Sequence, residues 1–258
     1  MPIELLTRRE LEVINRRSHR YPLHIAEKDY LLGVVSSIIA GSQLRGGLVF
    51  KGGTALHHCY LPDLRFSEDL DFTYAGDRPV DGGELLRQLE EILGEHDFLE
   101  VRKSRLSDHT MKVERLSFTG PLGQPNSMKI EVDMDQVVIL PPREVAYENV
   151  WRVDTKVMVM DIREICAEKI RAANERARYR DFYDLYMILE RFEIDMGMVG
   201  ELMARKESRA PLSRDSIEAN WRVALGEKEK DGSRVFYLEE IPDLRIEDML
   251  DRLDQAID

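Results

Sequence analysis

The segment Ser67-Glu68-Asp69-Leu70-Asp71-Phe72 most narrows what this chain can become. Carboxylates alternate there with large apolar side chains, and a strand sends alternate residues to opposite faces. Ser67, Asp69 and Asp71 then share one face, while Phe66, Leu70 and Phe72 anchor the other in a core. Asp69 and Asp71 stand ~7 Å apart along such a strand. Like charges so placed repel unless a cation lies between them, and a hard, oxygen-seeking ion such as Mg²⁺ suits the pair. The competing reading is an edge strand charged to deter pairing.

What precedes the strand decides between these readings. Gly47 to Lys51 reads as a short buried strand, followed at once by Gly52-Gly53-Thr54 and a helical stretch from Ala55 to Tyr60. Glycines at a strand-to-helix turn allow close backbone approach, and the amides of the first helical turn suit a phosphate. Together the two segments describe a place for a polyphosphate and for the metal that bridges it. Chemistry of that kind calls for a third acid. Met128 to Val138 reads as a strand that puts Glu131, Asp133 and Asp135 on one face. Glu131 and Asp133 each lie between apolar residues, and Asp135 sits nearer the strand end.

The rest of the chain sorts into two parts. Helical periodicity runs through the first forty residues with a break at Tyr21-Pro22, and a loop from Asp77 to Gly83 leads to a helix from Glu84 to Gly94. Further strands are expected at Leu99–Arg105 and Thr110–Phe118. Beyond Asp161 the pattern is helical, at Ile162–Ala177, Asp181–Arg191, Met196–Lys206, Ser216–Leu225 and Ile246–Ile257. This is an α+β organisation, with a mixed sheet and flanking helices in residues 1–155 and an all-helical part in residues 156–258.

Composition excludes several classes. The net charge of −12 argues against a non-specific nucleic-acid coat, though not against a local basic groove. Arg102, Lys103, Arg105, Lys112 and Arg115, together with the basic stretch from Lys169 to Arg180, are candidates for one. Two cysteines, Cys59 and Cys166, are too few for a disulfide framework or a four-cysteine zinc site. No apolar run is long enough to span a membrane, and the first residues lack the character of a secretion signal, so a cytoplasmic protein without membrane association is expected. His57, His58 and Cys59 are adjacent rather than at ligand spacing. Trp151 and Trp221 read as packing residues.

Three segments, in order, carry a resemblance: Lys51-Gly52-Gly53-Thr54-Ala55-Leu56, Arg65-Phe66-Ser67-Glu68-Asp69-Leu70-Asp71 and Arg180-Asp181-Phe182-Tyr183-Asp184-Leu185. The combination resembles the AbiEii/AbiGii-type nucleotidyltransferases, the toxins of type IV toxin–antitoxin and abortive-infection systems, in the DNA polymerase β-like superfamily. The resemblance implies nucleotide transfer from a nucleoside triphosphate to an acceptor hydroxyl, with tRNA 3′ ends or other RNA as the acceptor in some members. It also implies Mg²⁺ or Mn²⁺ as cofactor and a cognate antitoxin. By position, Lys51, Gly52, Gly53, Thr54 and Ser67 would bind the nucleotide, and Asp69, Asp71 and a third acid the metal. Glu131 is favoured for that acid, with Asp133 kept open. Lys169 matches a helical lysine of the family and would neutralise triphosphate charge from a helical part that completes the active site. Arg176 lies seven residues further along the same helix face. Asp181 reads either as a helix N-cap or, with Asp184, as a support that orients Lys169 or an arginine. Two other classes compete: a nucleotide-binding module without turnover, and a metal-dependent nuclease, which leaves the glycine turn unexplained.

Overall fold

The computed structural model describes residues 3–76, 80–206, 211–232 and 235–257, with side chains omitted at 227 and 229–232. Residues 77–79, at the start of the loop expected from Asp77 to Gly83, lie outside the described residues. By internal contacts the chain divides into two units. The first comprises Met1–Pro62, Phe66–Val138 and Pro142–Val159, and the second Asp63–Arg65, Ile139–Pro141 and Met160–Asp258.

Unit 1 is built on one seven-stranded mixed sheet. Its strands are β1 (Leu48–Lys51), β2 (Asp69–Tyr74), β3 (Leu99–Leu106), β4 (Thr110–Thr119), β5 (Pro125–Asp133), β6 (Arg143–Ala146) and β7 (Lys156–Val159). They lie in the order β3-β4-β5-β2-β1-β7-β6. β2 runs antiparallel to β1 and parallel to β5, which places two distant segments of chain side by side at its centre. Four helices accompany the sheet: α1 (Arg8–Arg17), α2 (Leu23–Ala40), α3 (Gly52–Cys59) and α4 (Gly82–Gly94). A reciprocal pair, Thr7 and Glu10, caps α1, and Asp81 caps α4 by accepting the Glu84 amide at 3.0 Å. α2 is apolar on nearly every side and is buried accordingly. Its Leu31, Val35 and Ile38 belong to the same core as Phe50, Leu70, Phe72, Ile130 and Val132. The Phe50 and Phe72 rings, paired across β1 and β2, lie 5.2 Å apart.

β6 and β7 were not expected from the sequence. Each is four residues long, too short to display an alternation. β7 pairs parallel with β1 through Phe50 and Val159, so unit 1 runs to Val159 rather than to residue 155. β5 ends sooner than its expected limit at Val138. There the Asp133 carboxylate accepts the amides of Asp135 (3.1 Å) and Gln136 (2.9 Å) and turns the chain out of the sheet.

Unit 2 contains α5 (Ile162–Glu175), α6 (Tyr179–Arg191), α7 (Met196–Arg205), α8 (Arg214–Gly232), α9 (Asp243–Met249) and α10 (Asp254–Ile257). The stretch expected as one helix from Ile246 to Ile257 is interrupted by a 3₁₀ turn at Leu250–Leu253. Buried charges here are paired. Lys206 meets Glu164 at 2.8 Å and Glu168 at 2.7 Å, and Glu164 also accepts the amides of Ile139 and Leu140 at 3.0 Å each. Trp221 is 2% exposed against Tyr179 and Phe182, a packing residue as expected. Among the described residues, no helix is long and apolar enough to cross a membrane.

Candidate active site

The acidic face of β2 is assembled by its neighbours. Strand pairing aligns Lys51 of β1 with Asp71 of β2, Asp71 with Glu131 of β5, and Glu131 with Lys112 of β4. Paired residues share a sheet face, so four strands contribute a row of cation, acid, acid, cation. Asp69, one pleat nearer the start of β2, aligns with Lys129. Leu70 and Phe72, pointing the other way, are buried, whereas Asp69 and Asp71 are half-buried. The alternation read from the sequence therefore holds in three dimensions.

Register also separates the candidates for a third acid. Glu131 stands level with Asp71, on the row next to the glycine turn. Asp133 stands level with Thr73, one pleat further from that turn, and its Oδ1 is occupied by the turn after β5. Asp133 Oδ2 lies 3.7 Å from Lys51 Nζ, and Glu131 is held by Lys112 at 2.8 Å. Asp135 has left the strand and pairs with His109. Of the basic residues considered for an RNA groove, Arg102, Lys103 and Arg105 lie on exposed β3, opposite Arg115 and Lys112 of β4. Glu100 and Glu114 pair with Arg102 and Lys103.

The glycine turn abuts the second aspartate. Gly52 adopts φ +76°, a conformation that strains any L side chain. A Cβ there would come within 3.0 Å of the Asp71 Cβ and 3.1 Å of its Cγ, and closer still to Oδ2. Backbone and carboxylate are thus pressed together where the first turn of α3 begins. No side chain caps that turn, since the N-cap is Lys51. Thr54 is 1% exposed and its hydroxyl donates to the Asp69 carbonyl at 2.5 Å. That bond pins α3 to β2. Ser67, half-buried, lies two residues before Asp69 on the approach to β2.

A second cluster lies within unit 2. Lys169 of α5 is 8% exposed, and its Nζ donates to Asp184 at 2.6 Å and Asp181 at 3.2 Å. Arg65 grips Asp184 with two parallel bonds, Nε to Oδ1 at 2.8 Å and Nη2 to Oδ2 at 2.7 Å. Arg176, just beyond the end of α5, donates to Asp181 at 2.8 and 3.2 Å. Burial raises the Asp181 pKa, but the charges of Lys169, Arg176 and Arg65 overcome it and hold this carboxyl below the usual range. The N-cap reading of Asp181 is corrected. Arg178 occupies the cap of α6, and Asp181 lies inside the first turn, fully buried. Both aspartates orient cations, the other of the two expectations. Arg65, Lys169 and Arg176 thus converge on two carboxylates. Arg65 had no role assigned from the sequence. The signal was its position between Leu64 and Phe66, because an arginine flanked by large apolar residues is buried with a partner.

Among the described residues, one set of three candidate ligands brings its ligand atoms within 4.8 Å of one another, and it includes none of the acidic row: Asp29, His57 and His58. The sequence concealed it, because α2 supplies the aspartate and α3 the adjacent histidines.

The profile of a family described as the nucleotidyl transferase AbiEii toxin of type IV toxin–antitoxin systems matches residues 35–258. Comparison with curated proteins gave no match. Among solved structures, the fold is similar to that of MenT4, a nucleotidyltransferase toxin from Mycobacterium tuberculosis H37Rv. That likeness has a TM-score of 0.66 and 20% identity, and covers 98% of each chain. An antigenic nucleotidyltransferase-like protein from Paracoccidioides brasiliensis aligns at 17% identity over 78% of this chain and 90% of its own. Its TM-score of 0.43 is too low to bear on the argument.

Proposed function

We propose that this chain, which belongs to the AbiEii family of nucleotidyl transferase toxins of type IV toxin–antitoxin systems, transfers a nucleoside monophosphate from a nucleoside triphosphate to an RNA hydroxyl, with a tRNA 3′ end as the first candidate. The observation that carries this reading is the abutment of Gly52 on Asp71, which sets uncapped helix amides beside a metal-binding type of carboxylate.

In the proposed reaction, the amides of Gly52, Gly53 and Thr54 receive the triphosphate, with Lys51 and Ser67 beside them. Asp69, Asp71 and Glu131 offer only oxygen donors, the set a Mg²⁺ or Mn²⁺ ion prefers, and they share one sheet face. When bound, the ion supplies neutralisation of phosphate charge and a more acidic acceptor hydroxyl. Lys112 must release Glu131 for that carboxylate to turn inward. The acceptor oxygen bonds to the α-phosphorus in line as the bond to the β-phosphate oxygen breaks. Pyrophosphate leaves, and the hydroxyl proton passes to Glu131 or solvent. In unit 2, Lys169 has a supporting role in this reading, with Asp181 and Asp184 as its positioning residues. Family membership further implies a cognate antitoxin.

The test is incubation of the chain with each labelled nucleoside triphosphate, Mg²⁺ and total tRNA. Label should appear in RNA with the wild type and fall by roughly 100-fold or more in Asp69→Asn. Undiminished transfer by that variant would sink the mechanism. Shortened RNA would indicate a nuclease, and binding without pyrophosphate release a regulatory module.

A further inference from the structure

Asp29, His57 and His58 play no part in the reaction proposed above. They are 1%, 3% and 3% exposed, and one ligand atom from each lies within 4.8 Å of the other two. A carboxylate and two imidazoles gathered in an apolar interior need an explanation, because buried polar groups are costly unless satisfied. We infer that these three side chains form a binding site for a single zinc-type divalent ion, separate from the acidic face of β2.

The outer atoms of two ligands are fixed in the way metal ligands are fixed. His58 Nδ1 lies 2.8 Å from the Glu148 carbonyl oxygen, which can only accept, so Nδ1 donates and Nε2 faces Asp29. Asp29 Oδ2 accepts the Trp151 indole hydrogen at 2.7 Å, which leaves Oδ1 facing the histidines. His58 Nε2 and Asp29 Oδ1 then stand 3.3 Å apart, without the alignment of a hydrogen bond. A tetrahedral ion with bonds of ~2.0–2.1 Å separates its ligand atoms by ~3.3–3.4 Å, so the spacing matches one edge of such a site. The His57 ring meets that of His58 edge-on, with centroids 4.3 Å apart. Two imidazoles and one carboxylate are a known zinc ligand set with one position left open. Nitrogen donors also select against Mg²⁺.

The site would join α2, which supplies Asp29, to α3, which supplies both histidines and opens with Gly52-Gly53-Thr54. The ion would therefore brace the helix whose first turn stands against Asp71.

The experiment is elemental analysis of the full chain, grown with zinc and dialysed against chelating resin. It is followed by replacement with Co²⁺ and visible spectroscopy. One zinc per chain is expected, with cobalt d–d bands of a four-coordinate nitrogen and oxygen site. The ion should persist in an Asp69→Asn/Asp71→Asn double variant and be lost in His57→Ala and Asp29→Asn. A wild-type chain that retains no metal and gives no cobalt spectrum overturns the inference, whether or not the variants fold. So does an ion that disappears with Asp69 and Asp71 but survives His57→Ala.

Discussion

Replacing Gly52 with alanine concentrates the logic of the site on one methyl group. Two costs follow from the backbone and its neighbour. The left-handed φ of +76° costs an L-residue about 1–2 kcal/mol. The new Cβ would also fall within 3.0 Å of Asp71 and force its carboxylate off its rotamer, for about another 0.5–1.5 kcal/mol. Their sum of about 1.5–3.5 kcal/mol corresponds to a fall of roughly 3–14 °C in the melting temperature of a chain this size. The functional loss should exceed what that fall explains, because a ligand displaced by an ångström costs roughly 100-fold in a positioned reaction. The assay pairs thermal melting with label transfer at a temperature where the variant remains folded. Gly46→Ala is the control, since nothing lies within 4 Å of the Cβ it would add. If Gly52→Ala turned over like the wild type, the contact with Asp71 would have no bearing on chemistry. If both alanine variants lost activity equally, the loss would not come from the glycine turn.

Two further outcomes concern buried charge. Asp184→Asn should destabilise the protein by about 3–5 kcal/mol in denaturant melts, because Arg65 and Lys169 would be left buried with an incomplete counter-charge; a loss under about 1 kcal/mol would mean the cluster is solvated. Glu27 of α2 is 1% exposed, and burial raises its pKa despite a hydrogen bond from the Leu122 amide. A carboxyl whose folded pKa exceeds its unfolded value incurs no penalty below the unfolded value, and its penalty grows as pH rises through the folded one. Glu27→Gln keeps the acceptor for Leu122. It should therefore be more stable than wild type at pH 8, with the gap closing below pH ~4. Parallel pH–stability curves for the two proteins would refute this.

Features written in local periodicity were legible before the structure. Asp69 and Asp71 alternate with Leu70 and Phe72, and such a pattern has one physical interpretation as a half-buried strand. Gly52 was legible as a turn, but its contact with Asp71 depends on the antiparallel pairing of β1 with β2, which no local window contains. The same limit hid Arg65 from Asp184 and Asp29 from the histidines. Asp181 shows the opposite failure, in which a locally sufficient reading as a helix cap was displaced by Lys169 and Arg176. Glu131 and Asp133 lie on one face of one strand, and only the register of β5 against β2 sets the first level with Asp71 and the second level with Thr73.

The parallel pairing of β2 with β5 also bears on when such an enzyme can first act. A parallel pair cannot close through a hairpin, so its alignment waits for the intervening chain and forms late. A nascent chain that has emerged only through β4 carries Asp69 and Asp71 but has no Glu131 to set beside them. For a chain of this family, the order of synthesis thereby withholds the pairing of Asp71 with Glu131 until β5 has been made.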